Sequence, residues 1–441
     1  MARAPRPETL IAGYGVAKNL LFMLFSSLMM VRQTVTTLGG SNEALVVLKR
    51  FFAVVVAINT AIVAGVAFTP LADVVFGSLM GVRAGALVHA KRILRVFALF
   101  PLIVGFRHFW QGVALHAGRS GVIAGAMTVR TVLLGLLVYV VLVPTESTDT
   151  GAAILFLGSV GAEGIVVYAL VALGGGGLAL WHRRQSGSRD AGSIRVADVS
   201  DPREARDGAP APVAPVPSYR AVLVFFVPLA VTALMRTAAL PIVNAGLARM
   251  PDADLALASF TVGWEIGYIL FAPLMFFHHV PLAFLAKTSG RSGPHLIATA
   301  ALFGLALAAA LATLGFTPVG PWVLTGLVGV EGDLLAGAVR VLRALTLLPL
   351  LYAAREYFWG VLMYHRTTRP IWVAKTANLA VLLGGVALFT TLLPGRPEAG
   401  VAAMLCAEAV EAGILLVHAR HKSRNVQTSI ESEMGGEPGS P

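Results

Sequence analysis

Residues 92–115 read RILRVFALFPLIVGFRHFWQGVAL, and residues 340–363 read RVLRALTLLPLLYAAREYFWGVLM. At one offset, 340 minus 92 or 248, Arg92, Leu94, Arg95, Leu99, Pro101, Leu102, Arg107, Gly112 and Val113 fall on Arg340, Leu342, Arg343, Leu347, Pro349, Leu350, Arg355, Gly360 and Val361. Apolar bias could align the leucines, but not three arginines, a proline and a glycine at fixed spacing. The chain carries an internal duplication. Working outward, Phe68-Thr69-Pro70 meets Phe316-Thr317-Pro318 at the same offset. Further upstream the offset is 246, and Tyr14, Phe25, Leu28 and Met29 meet Phe260, Phe271, Leu274 and Met275.

Composition identifies the solvent of both copies. The 441 residues are 56% hydrophobic and 13% charged, with a mean hydropathy of +0.77, more apolar surface than a water-soluble core can hide. Runs long enough to cross a bilayer as helix lie near 10–31, 45–69, 87–115, 121–143, 152–180, 219–247, 254–280, 295–316, 335–363, 371–393 and 398–419. The spans at 87–115 and 335–363 carry enough arginine to be under-read by hydropathy alone. The expected fold is therefore an all-α, polytopic membrane protein of eleven spans. Six spans separate the starts of equivalent helices, so the repeats run parallel, and parallel repeats form two bundles with a cavity between them. That is transporter architecture.

Residues 1–181 form the first bundle, 182–217 a hydrated Pro/Ala-rich linker, 218–420 the second bundle and 421–441 a polar tail expected to be disordered. In the second half the span at 219–247 precedes the repeated unit, whereas Met1 aligns with Leu247 and the first half shows no such helix. A twelve-span full-length protein starting about thirty residues upstream is the favoured expectation, with an eleven-span protein as the alternative. The formal charge of +11 does not point to nucleic acid. Basic residues gather in one alternating set of loops and acidic ones in the other, which predicts a cytoplasmic linker and C-terminus in a plasma-membrane protein.

Chemistry in such a chain is sought among charges at membrane depth, each costing roughly 2.5–3.5 kcal/mol at a helix centre. Ten are basic, including Lys18, Arg92, Arg95, Arg107, Arg130, Arg236, Arg340, Arg343, Arg355 and Lys375, against five acids, Glu163, Glu265, Glu356, Glu408 and Glu411. Arg340 and Arg343 share a helical face, and Arg355 lies about 60° around the axis. Pro101 and Pro349 should kink their helices and act as hinges. Two kinked helices bearing Arg92, Arg95, Arg107, Arg340, Arg343 and Arg355 would line a positive cleft, with Arg236 and Asn244 as further contacts. Arginine's planar fork suits carboxylate and phosphate, so the expected partner is a small anionic substrate. The opposing reading makes Arg92 and Arg340 interfacial anchors and Arg355 half of an ion pair. Glu265, Lys18, Asn19 and Glu356 are candidates for coupling to a proton or sodium ion, or for a structural ion pair. His278-His279 reads as an interfacial pair, Cys406 as a packing residue, and GGGG at 174–177 as a span end. No GxSxG, HExxH, Walker sequence or cysteine cluster occurs, which argues against an enzyme, an ATP-driven pump, a bound cofactor or a metal site.

The segments LPIVNAGLAR, VGWEIGYILFAPL and LRALTLLPLLYAAREYFWGVLM, with RILRVFALFPLIVGFRHFWQGVAL in the first half, resemble the progressive ankylosis (ANK) family. That family lies within the multidrug/oligosaccharidyl-lipid/polysaccharide (MOP, MATE-like) flippase superfamily. The resemblance covers roughly residues 8–145 and 218–420. It implies a two-bundle, twelve-span transporter, associated in animals with export of pyrophosphate, ATP or citrate, and it implies anion contacts at Arg95, Arg343 and Arg355. The expected function is an alternating-access exporter of small polyanionic metabolites, working as a monomer in the bilayer. A flippase of polyprenyl-diphosphate-linked glycans, a cation-coupled multidrug exporter and a non-transporting scaffold are the alternatives.

Overall fold

The computed structural model describes residues 6–142, 149–173, 216–288, 293–365, 367 and 369–434. The linker, the 174–177 glycines and residues 435–441 lie outside them, whereas the part of the tail up to Met434, expected to be disordered, continues the last helix, Glu398–Met434. All regular structure among the described residues is helical. The spans are α1 (Pro7–Leu24 and Ser26–Leu38, bent by 58°), α2 (Asn42–Phe68), α3 (Ala84–Val96, Phe97–Leu99 and Phe100–His116), α4 (Ser120–Val140), α5 (Thr150–Ala172) and α6 (Tyr219–Leu247). The second copy follows as α7 (Ala253–Leu285), α8 (His295–Phe316), α9 (Gly332–Tyr364), α10 (Arg369–Leu392) and α11 (Glu398–His421). Nine of these are long and apolar enough to cross a membrane, and the bent α1 makes ten. The eleventh, α3, is the arginine-bearing helix that hydropathy under-reads; its duplicate α9 passes.

The repeat extends to the irregularities. Both copies tighten into a 3-10 turn at one place, Ser26–Met30 in α1 and Ala272–Phe276 in α7, 246 apart. Pro273 opens the second turn and the Ser26-Ser27 pair the first, two known causes of helix breaks. Pro101 and Pro349 each stand in the first turn of a restarted helix, Phe100–His116 and Leu348–Tyr364, where a missing N–H costs nothing. The expected kinks therefore fall just before the prolines.

Within each copy the same helices meet: α1 on α3, α3 on α5 and α4 on α5 in the first, α7 on α9, α9 on α11 and α10 on α11 in the second. The shared glycine marks a close crossing. A Cβ on Gly112 would lie 2.8 Å from the Arg32 carbonyl oxygen, and one on Gly360 2.6 Å from that of His278. Another crossing keeps its space by exchanging partners: Gly105 faces Val56 in the first bundle, whereas Ala353 faces Gly304, the residue equivalent to Val56, in the second. Outward faces carry exposed Ile58 and Ile62 on α2, Val132 and Leu136 on α4 and Val224 on α6, as a lipid-facing ring requires. The bundles join along α1 and α7, and α6 reaches both, with Phe226 packed edge-on against Phe51 and Phe52 of α2.

Candidate functional site

The six duplicated arginines do not converge on one cleft. Arg95 and Arg343 are exposed, and their Nε atoms donate to the carbonyls of Ala67 at 3.3 Å and Gly315 at 2.6 Å. Those carbonyls are themselves 248 apart and stand in the last turns of α2 and α8. Each arginine thus caps the negative end of a neighbouring helix and sits as an anchor on the bundle's outer side. Arg343 also lies 5.7 Å from the Phe316 ring. Arg340 pairs with Glu398 at 3.4 Å, and Arg92 is exposed one turn from Arg95. The guanidiniums expected to contact an anion at Arg95 and Arg343 are engaged with main-chain carbonyls.

The third duplicated arginine is buried and paired. Arg355, 3% exposed, contacts Glu408 of α11 at 2.6 Å and Glu356 at 2.7 Å, with the Tyr352 ring 4.3 Å away. This is the ion-pair arrangement that the opposing reading expects of Arg355. Arg107 does the same, meeting Glu163 of α5 at 2.9 Å. Glu163 also takes Arg130 of α4 at 3.1 Å, and Glu408 takes Asn378, the residue equivalent to Arg130, at 3.3 Å. In both bundles, then, an arginine from the third helix and a polar residue from the fourth clamp one glutamate on the fifth.

Around this common clamp the charges diverge. The first bundle adds Gln111, donating to Glu163 at 2.7 Å, and His108 at 3.2 Å from Gln111. Arg32 of α1 lies within Coulombic reach of Glu163 and, across the bundle boundary, of His279, yet donates no hydrogen bond among the described residues. Two arginines, Arg107 and Arg130, thus share one carboxylate, and Arg32 makes no ion pair with it. The second bundle instead chains His278 to Glu356 at 2.5 Å, then through Arg355, Glu408 and Asn378 to Lys375, which pairs with Glu411 at 3.1 Å. Two cations there face three glutamates. His278 is buried within this chain, so the interfacial reading of the pair fails for it.

Between the bundles Lys18 and Glu265 meet at 2.6 Å, both partly exposed to the boundary. One turn away, a Cβ on Gly15 would strike Thr261. At the end bearing Asp73, Asp254 and Asp333 the contact is reciprocal: Arg83 donates to the Met250 carbonyl at 2.8 Å, and Arg249 to that of Leu79 at 2.7 Å. Asn19 is buried, and Asn244 is wholly buried with neither amide atom bonded, so Asn244 is closed to any ligand in this conformation. No cluster of three metal-ligating side chains occurs among the described residues.

No protein family and no characterised protein matches the chain by sequence. Solved structures do match by shape. A multidrug-resistance MATE transporter of the MOP superfamily, in an inward-facing conformation, superposes with a TM-score of 0.64 over 96% of this chain and 95% of its own, at 16% identity. The lipid II flippase MurJ, inward closed, gives 0.57 over 93% and 86% at 11% identity. A Pyrococcus furiosus MOP transporter, described for the reverse polarity of its binding pocket, gives 0.55 over 94% and 84% at 17% identity. The chain has the MATE fold. In this MATE fold the α1–α7 boundary, with Lys18, Glu265 and the flanking Arg32 and Arg236, is the candidate site. Where sequence reading expects cargo contacts, the structure holds Arg95 and Arg343 on main-chain carbonyls and Arg340 and Arg355 on carboxylates. Glu163 and Glu408 are 245 apart, since the loop over 141–149 is longer than that over 393–397, and an alignment held at 248 hides their equivalence.

Proposed function

We propose that the chain is an alternating-access membrane transporter that exports small polyanionic metabolites, as its resemblance to the ANK family implies. The observation that carries this reading is the excess of guanidinium in the first bundle, where Arg107 and Arg130 both pair with the single carboxylate of Glu163 and Arg32 adds a third positive charge that holds no carboxylate among the described residues. Excess positive charge at membrane depth is stable where a counter-anion visits, and it opposes a cationic drug. A diphosphate headgroup on a lipid-linked glycan is the second reading, because it offers the same chemistry to the same arginines. The asymmetry of loop charge supports a plasma-membrane protein with the linker and C-terminus in the cytoplasm and the Arg83–Met250 end outside.

Arg32 is the residue to test, because it donates no hydrogen bond and its loss strands no partner. In proteoliposomes loaded with pyrophosphate or citrate, Arg32→Gln should cut efflux about tenfold, the value of one charge-assisted contact, at unchanged melting temperature. An added polyprenyl diphosphate should compete only if the flippase reading holds. Normal efflux from the variant, or ethidium transport in place of anion efflux, would overturn the polyanion reading.

A further inference from the structure

Arg236 of α6 stands apart from the other cations at this depth. Lys18, Arg107, Arg130, Arg355 and Lys375 each hold a carboxylate within about 3 Å. Arg236 makes no hydrogen bond and no ion pair among the described residues. Its guanidinium lies 5.8 Å from the centre of the Trp359 ring, and His278 stacks against that indole at 5.1 Å, which fixes the ring in place. The five N–H donors of Arg236 are therefore unused inside a membrane protein.

They border a narrow groove lined by Met235, Arg236, Trp359, Trp372, Lys375 and Glu411. Lys375, 8% exposed, reaches it while tied to Glu411 and Asn378. In this conformation the groove's enclosed part, about 20 Å³, has room for one water-sized group such as a single phosphate or carboxylate oxygen. We propose that the groove is an anion subsite for a phosphate or carboxylate, bound in the fork of Arg236, with Lys375 as second cation and the Trp359 indole as its floor. The subsite rests on the reading of the cleft as an anion path, and it adds a contact from the second bundle to those of the first. The same chemistry admits two sources, a free anionic cargo or the phosphate of a membrane lipid.

The test uses the full chain in nanodiscs of neutral phosphatidylcholine, titrated with pyrophosphate by calorimetry, and in nanodiscs containing phosphatidylglycerol, followed by melting temperature. Arg236→Gln should raise the Kd for pyrophosphate about tenfold or more, and Arg236→Lys by less, because lysine keeps the charge without the fork. That result assigns the groove to a free anion. If wild type ignores pyrophosphate but is stabilised by phosphatidylglycerol, and both variants lose that gain, the ligand is a lipid headgroup. Arg236→Lys decides the matter should the glutamine variant fail to fold. If the variants match wild type in both arms, the subsite is overturned. Should Arg32→Gln alone weaken binding, the transport reading survives without the subsite; should Arg236→Gln alone do so, the first-bundle reading fails and the subsite stands.

Discussion

Replacing Arg355 by glutamine should destabilise the second bundle before it touches transport. The side chain joins Glu356 and Glu408, which are 0% and 6% exposed, through contacts of 2.7 and 2.6 Å. Removing it leaves two buried carboxylates whose remaining partners, His278 and Asn378, hold one each. Breaking a buried pair by deleting one partner costs roughly 3–5 kcal/mol, because the stranded charge keeps its desolvation penalty. For a bundle of this size that is a fall in melting temperature on the order of 10 °C. Fluorescence-detected thermal melts of detergent-solubilised protein, with membrane abundance by immunoblot, measure it. Arg355→Gln with Glu408→Gln should recover part of the loss, since the double change removes one stranded charge along with the guanidinium. A single variant melting within 2 °C of wild type and exporting poorly would refute the strut and return Arg355 to the cargo path.

Arg343→Ala removes one exposed guanidinium–carbonyl bond at the end of α8, so it should cost about 1 kcal/mol and leave proteoliposome efflux within twofold of wild type. Lys18→Glu sets two carboxylates against each other across the bundle boundary and should slow efflux severalfold, whereas Lys18→Glu with Glu265→Lys should restore it; an unrescued swap would show that the pair does more than join the bundles. Gly112→Val and Gly360→Val push methyl groups into Arg32 and His278 backbone, and overpacking of roughly 1–3 kcal/mol should appear as lower melting temperatures for both.

The spans were legible because a bilayer imposes length and apolarity on every crossing helix; those at 219–247 and 295–316 agree with the structure to the residue. The duplication was legible because Arg92, Pro101, Arg107 and Gly112 are types that apolar bias does not repeat. What the arginines do was not legible. Arg95 and Arg343 bind main-chain carbonyls, which carry no sequence signal, so their pattern looks the same whether they line a cleft or cap a helix. Arg107 and Arg355 depend on glutamates 56 and 53 residues onward, displaced by a loop of unequal length. Arg32 stands at the end of an apolar run in the sequence, whereas α1 bends by 58° before it and the Arg32 backbone packs on Gly112 of α3.

A duplicated scaffold divides its residues into those that both copies need to fold and those that one copy needs for work. The clamp of Arg107 on Glu163 and of Arg355 on Glu408 survives in both, as do the glycine crossings and the helix caps, so these belong to the scaffold. Divergence is confined to a few neighbours of the clamp: Arg32 stands where the second copy has His278, and Gln111 where it has Trp359. The helix that touches both bundles, α6, carries Arg236. The guanidiniums of Arg32 and Arg236, which hold no carboxylate among the described residues, stand outside these matched pairs. A bundle held by matched ion pairs has no use for two unmatched ones, and an anion passing between the bundles has use for both.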